Sequence, residues 1–180
     1  MAEIKSTLEL AMERTQKITI SEEEREEFRR KEILQKAMSL FHRYVEGHTP
    51  LNEILKEIER MEGKTGSIVK EFLIVQWIDA LSLNDGNERL LKGIESLKDQ
   101  GISEVTHQLR DLLSQYQRKK EKVEQEVKVQ SVEALRKEGI YGTAVEPHIE
   151  GDPLWEKELV QLDHAYKMKL EEIKKELRSL

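Results

Sequence analysis

The chain has no cysteine among its 180 residues, which excludes disulfides, thiolate nucleophiles and cysteine-ligated zinc. Aromatic residues make up only 5% and apolar residues 37%, below the usual share for a globular chain. Proline is scarce, with three residues, so few helix breakers interrupt the sequence. Long apolar runs are also missing. The longest, Phe72 to Ile78, is interrupted by Gln76 and bounded by Glu71 and Asp79, far short of the ~18 residues that span a bilayer. Charge of one sign is absent too: 30 basic and 36 acidic residues leave a net charge of −6. No segment forms a basic patch, so the electrostatic footprint of a nucleic-acid binder is not present. The short run Arg118-Lys119-Lys120-Glu121-Lys122 is followed by Glu124 and Glu126, as on a solvated helix face. The start, Met1-Ala2-Glu3-Ile4-Lys5, is charged at once, unlike a signal peptide. The expectation is a cytoplasmic protein that binds neither membrane nor nucleic acid.

What is abundant is charge, at 37%, set around thin apolar stripes at helical spacing. Residues 3–17 place Ile4, Leu8, Ala11 and Met12 on one face. Ser21-Glu22-Glu23-Glu24 is a capping box that opens a helix predicted over 22–46. Phe28, Ile33, Leu34, Ala37, Met38, Phe41, Tyr44 and Val45 are its expected buried side chains, with His42 partly buried beside them. Thr49-Pro50 reads as a cap and a first helical residue. Leu51, Ile54, Leu55, Ile58 and Met61 follow as the buried face of a short helix. Over 67–82 apolar residues occupy nearly the whole circumference, which predicts a central helix. After the turn Asn84-Asp85-Gly86, the residues Leu90, Leu91, Ile94 and Leu97 mark another helix.

The last third reads differently. From Ser103, a plausible cap, to Glu138 there is neither proline nor glycine, giving a helix of roughly 54 Å. Its stripe is Val105, Leu109, Leu112, Tyr116, Lys120, Val123, Val127, Gln130 and Ala134. A matching stripe, Trp155, Leu159, Leu162, Tyr166, Leu170, Ile173, Leu177 and Leu180, closes the chain. Both follow an eleven-residue rhythm, which predicts a straight or slightly right-handed pair. The fold expected is therefore all-α, with a helical bundle over 1–102 and a long antiparallel, coiled-coil-like hairpin over 103–180. The connection 139–153 is long for a compact domain. It carries Ile140, Tyr141, Val145, Pro147 and Ile149. Gly139 suits the left-handed position after a helix, with Ile140 folding back on Leu135.

No chemical constellation survives inspection. Gly63-Lys64-Thr65 lacks the earlier glycine of a P-loop, since position 58 is Ile58. Glu104-Val105-Thr106-His107 has the spacing of a carboxylate-bridged di-iron site, but no second copy exists. Asp163 and His164 are adjacent and so point to different faces of a helix. No catalytic residue, metal ligand or cofactor is expected. The apolar loop residues, Ile140, Tyr141, Val145, Pro147 and Ile149, with Trp155 at the start of the last helix, are the candidate partner-binding set. A competing reading packs the same loop onto the chain's own helices.

Two segments, Met1-Ala2-Glu3-Ile4-Lys5-Ser6-Thr7-Leu8-Glu9-Leu10-Ala11-Met12-Glu13-Arg14-Thr15 and Gly139-Ile140-Tyr141-Gly142-Thr143-Ala144-Val145-Glu146-Pro147, resemble an uncharacterised bacterial family of helical proteins. The resemblance implies a bacterial cytoplasmic protein and says nothing of mechanism. The function expected is a non-enzymatic interaction scaffold, adaptor or assembly factor acting through the hairpin and its loop. The alternatives are a homo-oligomeric stalk whose hairpins pair between chains, and a ligand-binding bundle with a pocket near His42, Tyr44 or Trp77.

Overall fold

The chain begins its described structure with a reciprocal cap. Ser21 Oγ accepts from Glu24 N at 3.1 Å, and Glu24 Oε2 accepts from Ser21 N at 2.9 Å. The computed structural model describes residues 21–61, 63–84, 86–98, 101–140, 142 and 147–180. Among these, six helices and no strand are present: α1 (Glu22–Val45), α2 (Leu51–Glu59), α3 (Lys64–Ala80), α4 (Asn87–Leu97), α5 (Ser103–Lys137) and α6 (Pro153–Ser179). The fold is all-α. The stripe expected over 3–17 lies outside the described residues.

The central position expected for α3 is observed. It packs against α1, α2, α4 and α6, burying Val69, Leu73, Ile74, Trp77 and Ile78. Trp77 sits under Tyr44 of α1, ring centroids 5.1 Å apart. On its other side α4 comes close because position 93 is glycine: a Cβ there would stand 2.8 Å from the indole ring. Tyr44 donates its hydroxyl to Arg89 O at 2.6 Å, so α1, α3 and α4 meet around one aromatic pair.

Several expectations about α1 and the caps are corrected. Phe28, Met38 and Val45 are exposed, while Leu40 is buried. All residues from 22 to 32 are exposed, because no other described element reaches that half of the helix. His42 is on the surface, 3.8 Å from Glu46 Oε1, rather than in the core. Pro50 stands before the first residue of α2, and Thr49 caps nothing. Its hydroxyl instead accepts from Arg43 Nε at 3.1 Å. Arg43 is fixed there by a two-pronged contact with Glu57, at 2.6 and 3.2 Å. That contact holds the Glu57 carboxyl below its ordinary value. Ser103 is the first residue of α5, not its cap.

α5 and α6 lie along each other in opposite directions. Tyr116 faces Asp163 and Tyr166, and Ser131 faces Asp152. The stripe of α5 holds from Val105 to Val127 and then drifts. Gln130 and Ala134 are exposed, and Ser131 and Leu135 are half-buried instead. On α6 the stripe is followed as far as Leu177, and Leu180 is exposed. The drift has a simple cause: beyond Val127 the facing surface is the loop before α6, not a helix with a matching period.

The open end of the pair is fastened to the rest of the chain. Lys98, just after α4, donates to Leu177 O in the last turn of α6. Buried Lys174 donates to Asp79 O in the last turn of α3 at 3.2 Å and lies 3.1 Å from Glu171 Oε1. Arg178 pairs with the Asp79 carboxylate. Each ammonium thus satisfies a carbonyl that helix geometry leaves unpaired, at the negative end of a helix dipole. One apolar core runs from Ala37 through Trp77 and Leu109 to Leu177. No helix among the described residues is long and apolar enough to cross a membrane.

Candidate functional site

The far end of the α5–α6 pair is where the sequence places its candidate set. α5 ends as anticipated: Gly139 takes φ 85°, its N–H donates to Arg136 O at 3.1 Å, and Ile140 N donates to Leu135 O at 3.0 Å. These two bonds are a Schellman closure. The hydrophobic contact that often accompanies it is incomplete, because Ile140 remains 46% exposed. Further along the connection Pro147 is half-buried and Ile149 is buried. Asp152 then starts α6. Its carboxylate accepts from Leu154 N at 2.8 Å, ahead of Pro153 at the first helical position. The other carboxylate oxygen accepts from Ser131 Oγ at 3.2 Å, which ties the returning loop to α5.

The six candidate residues therefore separate. Ile149 packs on the chain's own surface, Pro147 and Trp155 are partly covered, and Ile140 is open to solvent. Tyr141 and Val145 lie outside the described residues. Two exposed apolar side chains at this end, Val129 and Leu154, were not singled out in the sequence. Asp152-Pro153 was the available signal for Leu154, since a capped start fixes which way the first turn faces. Beside the loop a shallow cleft of about 360 Å³ is lined by Glu124, Lys128, Pro147, His148, Ile149 and Glu150. Across it Lys128 Nζ lies 2.6 Å from Glu124 Oε1, and His148 Nε2 lies 3.7 Å from Glu150 Oε2.

A second cleft, about 290 Å³, opens midway along the pair, where the turn after α3 meets α5 and α6. Tyr116 donates its hydroxyl to Asp163 Oδ1 at 2.7 Å, and Lys167 Nζ lies 3.4 Å from the other carboxylate oxygen. Burial, reinforced by the bond to Asp163, pushes the Tyr116 phenol up to about 12. A phenol held there keeps its proton at neutral pH, so it donates a hydrogen bond and does not act as a base. Lys174 and Glu171 complete the lining and pair with each other. The arrangement is a hydrogen-bonded polar seam between helices, beside which the buried Tyr166 hydroxyl has no partner among the described residues. Among the described residues no group of three or more His, Asp or Glu side chains is placed to hold a metal ion. His42, Tyr44 and Trp77 do not line a common pocket: Tyr44 and Trp77 are packed in the core and His42 is on the surface.

The seam and the far end of the pair both fall within one region shared with other proteins. Residues 81–179 match the model of a family described as "Family of unknown function (DUF6657)". The chain belongs to DUF6657. The segment common to DUF6657 takes in α4 together with α5, the connecting loop and α6. No curated protein matches the chain, and no solved structure matches it.

Proposed function

We propose that this protein is a non-enzymatic interaction module, a scaffold, adaptor or assembly factor, that offers a partner the closed end of the α5–α6 pair. In this reading residues 1–102 form a base and 103–180 a projecting arm, working in the cytoplasm of a bacterium. The observation that carries it is the set of apolar side chains left uncovered at that end. Ile140, Leu154 and Val129 are exposed on a segment where, among the described residues, only Val127 and Ile149 are buried. Such side chains at the end of an arm, next to a loop already docked through Ile149, offer the apolar centre that protein partners bury. Trp155, half-buried one residue further on, adds an aromatic anchor.

The test is retention of a partner from extract of the source cells by the tagged chain and by an Ile140→Asp, Leu154→Asp variant. Both side chains are exposed, so the variant keeps its melting temperature within about 2 °C. A partner held stoichiometrically by the parent and lost from the variant supports the reading. A partner held equally by both refutes this end of the molecule as the binding surface. The same loop is the reason to separate this reading from a stalk built by pairing of hairpins between chains, in which the variant would change oligomeric state.

A further inference from the structure

We propose that the exposed half of α1 is a docking face for a second copy of this chain, paired antiparallel about a two-fold axis between Phe28 and Arg29. Residues 22–32 are all exposed, a length of about 16 Å or three turns. These are the first turns of a 24-residue helix whose later half is packed, and the capping box at Ser21 and Glu24 closes their free end. Within this stretch Arg25, Phe28, Arg29 and Glu32 stand at i, i+3, i+4 and i+7, which is one face of the helix. Phe28 is 61% exposed.

The order of these residues is self-complementary when reversed. With the axis between Phe28 and Arg29, Arg25 meets Glu32 of the second copy and Glu32 meets Arg25. Phe28 meets Arg29, a guanidinium over an aromatic ring. Each of the four face positions thus finds an opposite charge or an aromatic–cation partner. Within one chain Lys31 Nζ already stands over the Phe28 ring, 5.9 Å from its centroid, but the charges of this face are less well served. Arg25 and Arg29 are like charges at i,i+4, which destabilises an isolated helix. Among the described residues, Arg25, Arg29 and Glu32 make no ion pair. A second copy supplies what the face lacks, and the arrangement is isologous, as most homodimers are.

Three turns per copy cover less than the roughly 800 Å² per partner of a standard interface. The pairing is therefore weak and, because it rests on exposed charges, sensitive to salt. It is independent of the hairpin end, so the Ile140→Asp, Leu154→Asp variant dimerises as the parent does. Sedimentation equilibrium of the full chain over a concentration series tests it. The parent shows a monomer–dimer equilibrium that loosens at least about tenfold on raising salt to about 0.5 M. Glu32→Arg, which sets two arginines against each other twice per dimer, loosens it by at least about tenfold. Exchanging the charges, Arg25→Glu with Glu32→Arg, restores the parental constant. Both side chains are exposed, and circular dichroism confirms that each variant keeps its helix. A parent that stays monomeric up to about 1 mM overturns the proposal. So does a dimer indifferent to Glu32→Arg, or one that the charge exchange fails to restore.

Discussion

At Gly93 two small effects of opposite sign compete, and the geometry decides between them. Alanine in a helix interior is favoured over glycine by about 1 kcal/mol. Here, though, the added Cβ would stand 2.8 Å from the Trp77 ring, a buried ring held by Tyr44 on its other side. Overpacking of this kind costs about 1–3 kcal/mol. Gly93→Ala should therefore be destabilising by about 1 kcal/mol net, read as a fall in melting temperature of about 3 °C. A rise would show that the indole has room to move. Tyr116 makes a different kind of prediction. Its phenol is raised in the folded chain to about 12 from 10.0, so the folded state holds its proton more tightly than the unfolded state. The stability this contributes is complete below the unfolded value and is lost as pH rises through about 10 to about 12. Tyr116→Phe lacks that loss. The melting-temperature gap between parent and Tyr116→Phe should narrow across this range, and a constant gap would contradict the assignment. Neither effect was legible in the sequence. Gly93 is one glycine in a helical pattern until Trp77 is placed beneath it, and Tyr116 needs the register that brings Asp163 across.

Elements were legible to the extent that their signals are local. The capping box at Ser21, the left-handed Gly139 and the all-round apolar pattern of α3 are each settled within one or two helical turns, and each is found. Expectations that depended on a neighbour were less secure. Phe28 was expected among the buried side chains, yet five and nine residues of helix turn it away from Ile33 and Ala37, and it is exposed. Thr49 was given a capping role, but Arg43, held by Glu57 fourteen residues further on, takes its hydroxyl. The turn between α3 and α4 depends on a residue to which the sequence drew no attention. Asn87 is buried and its side chain makes three bonds. Its Oδ1 accepts from Ser82 N at 3.0 Å, and its Nδ2 donates to Ser82 O at 2.8 Å and Asn84 O at 2.6 Å. Asn87→Ala leaves those backbone groups without partners and should cost about 1–3 kcal/mol. Thermal unfolding checks it: a loss under about 0.5 kcal/mol would mean that the turn does not depend on this amide.

Over the whole molecule, support is uneven along α5 and α6. The continuous core takes in α5 only as far as Tyr116 and α6 from Leu162 onward. At the open end Lys98, Lys174 and Arg178 fasten α6 to α3 and α4. At the closed end Val127 and Ile149 are buried apart from that core. Lys120 and Gln130, which interrupt the long stripe in the sequence, mark where the seam thins. An arm that is firm at its root and thinly held at its end has a graded cost of local opening. That grading leaves the end free to adapt to a partner, which is the physical basis of the function proposed above. Native-state hydrogen exchange along α5 tests it most directly. Amides from Val105 to Tyr116 should exchange only on global unfolding, and those beyond Lys120 should exchange progressively faster, by at least about a hundredfold near Leu135. Uniform protection from Val105 to Leu135 would contradict the account.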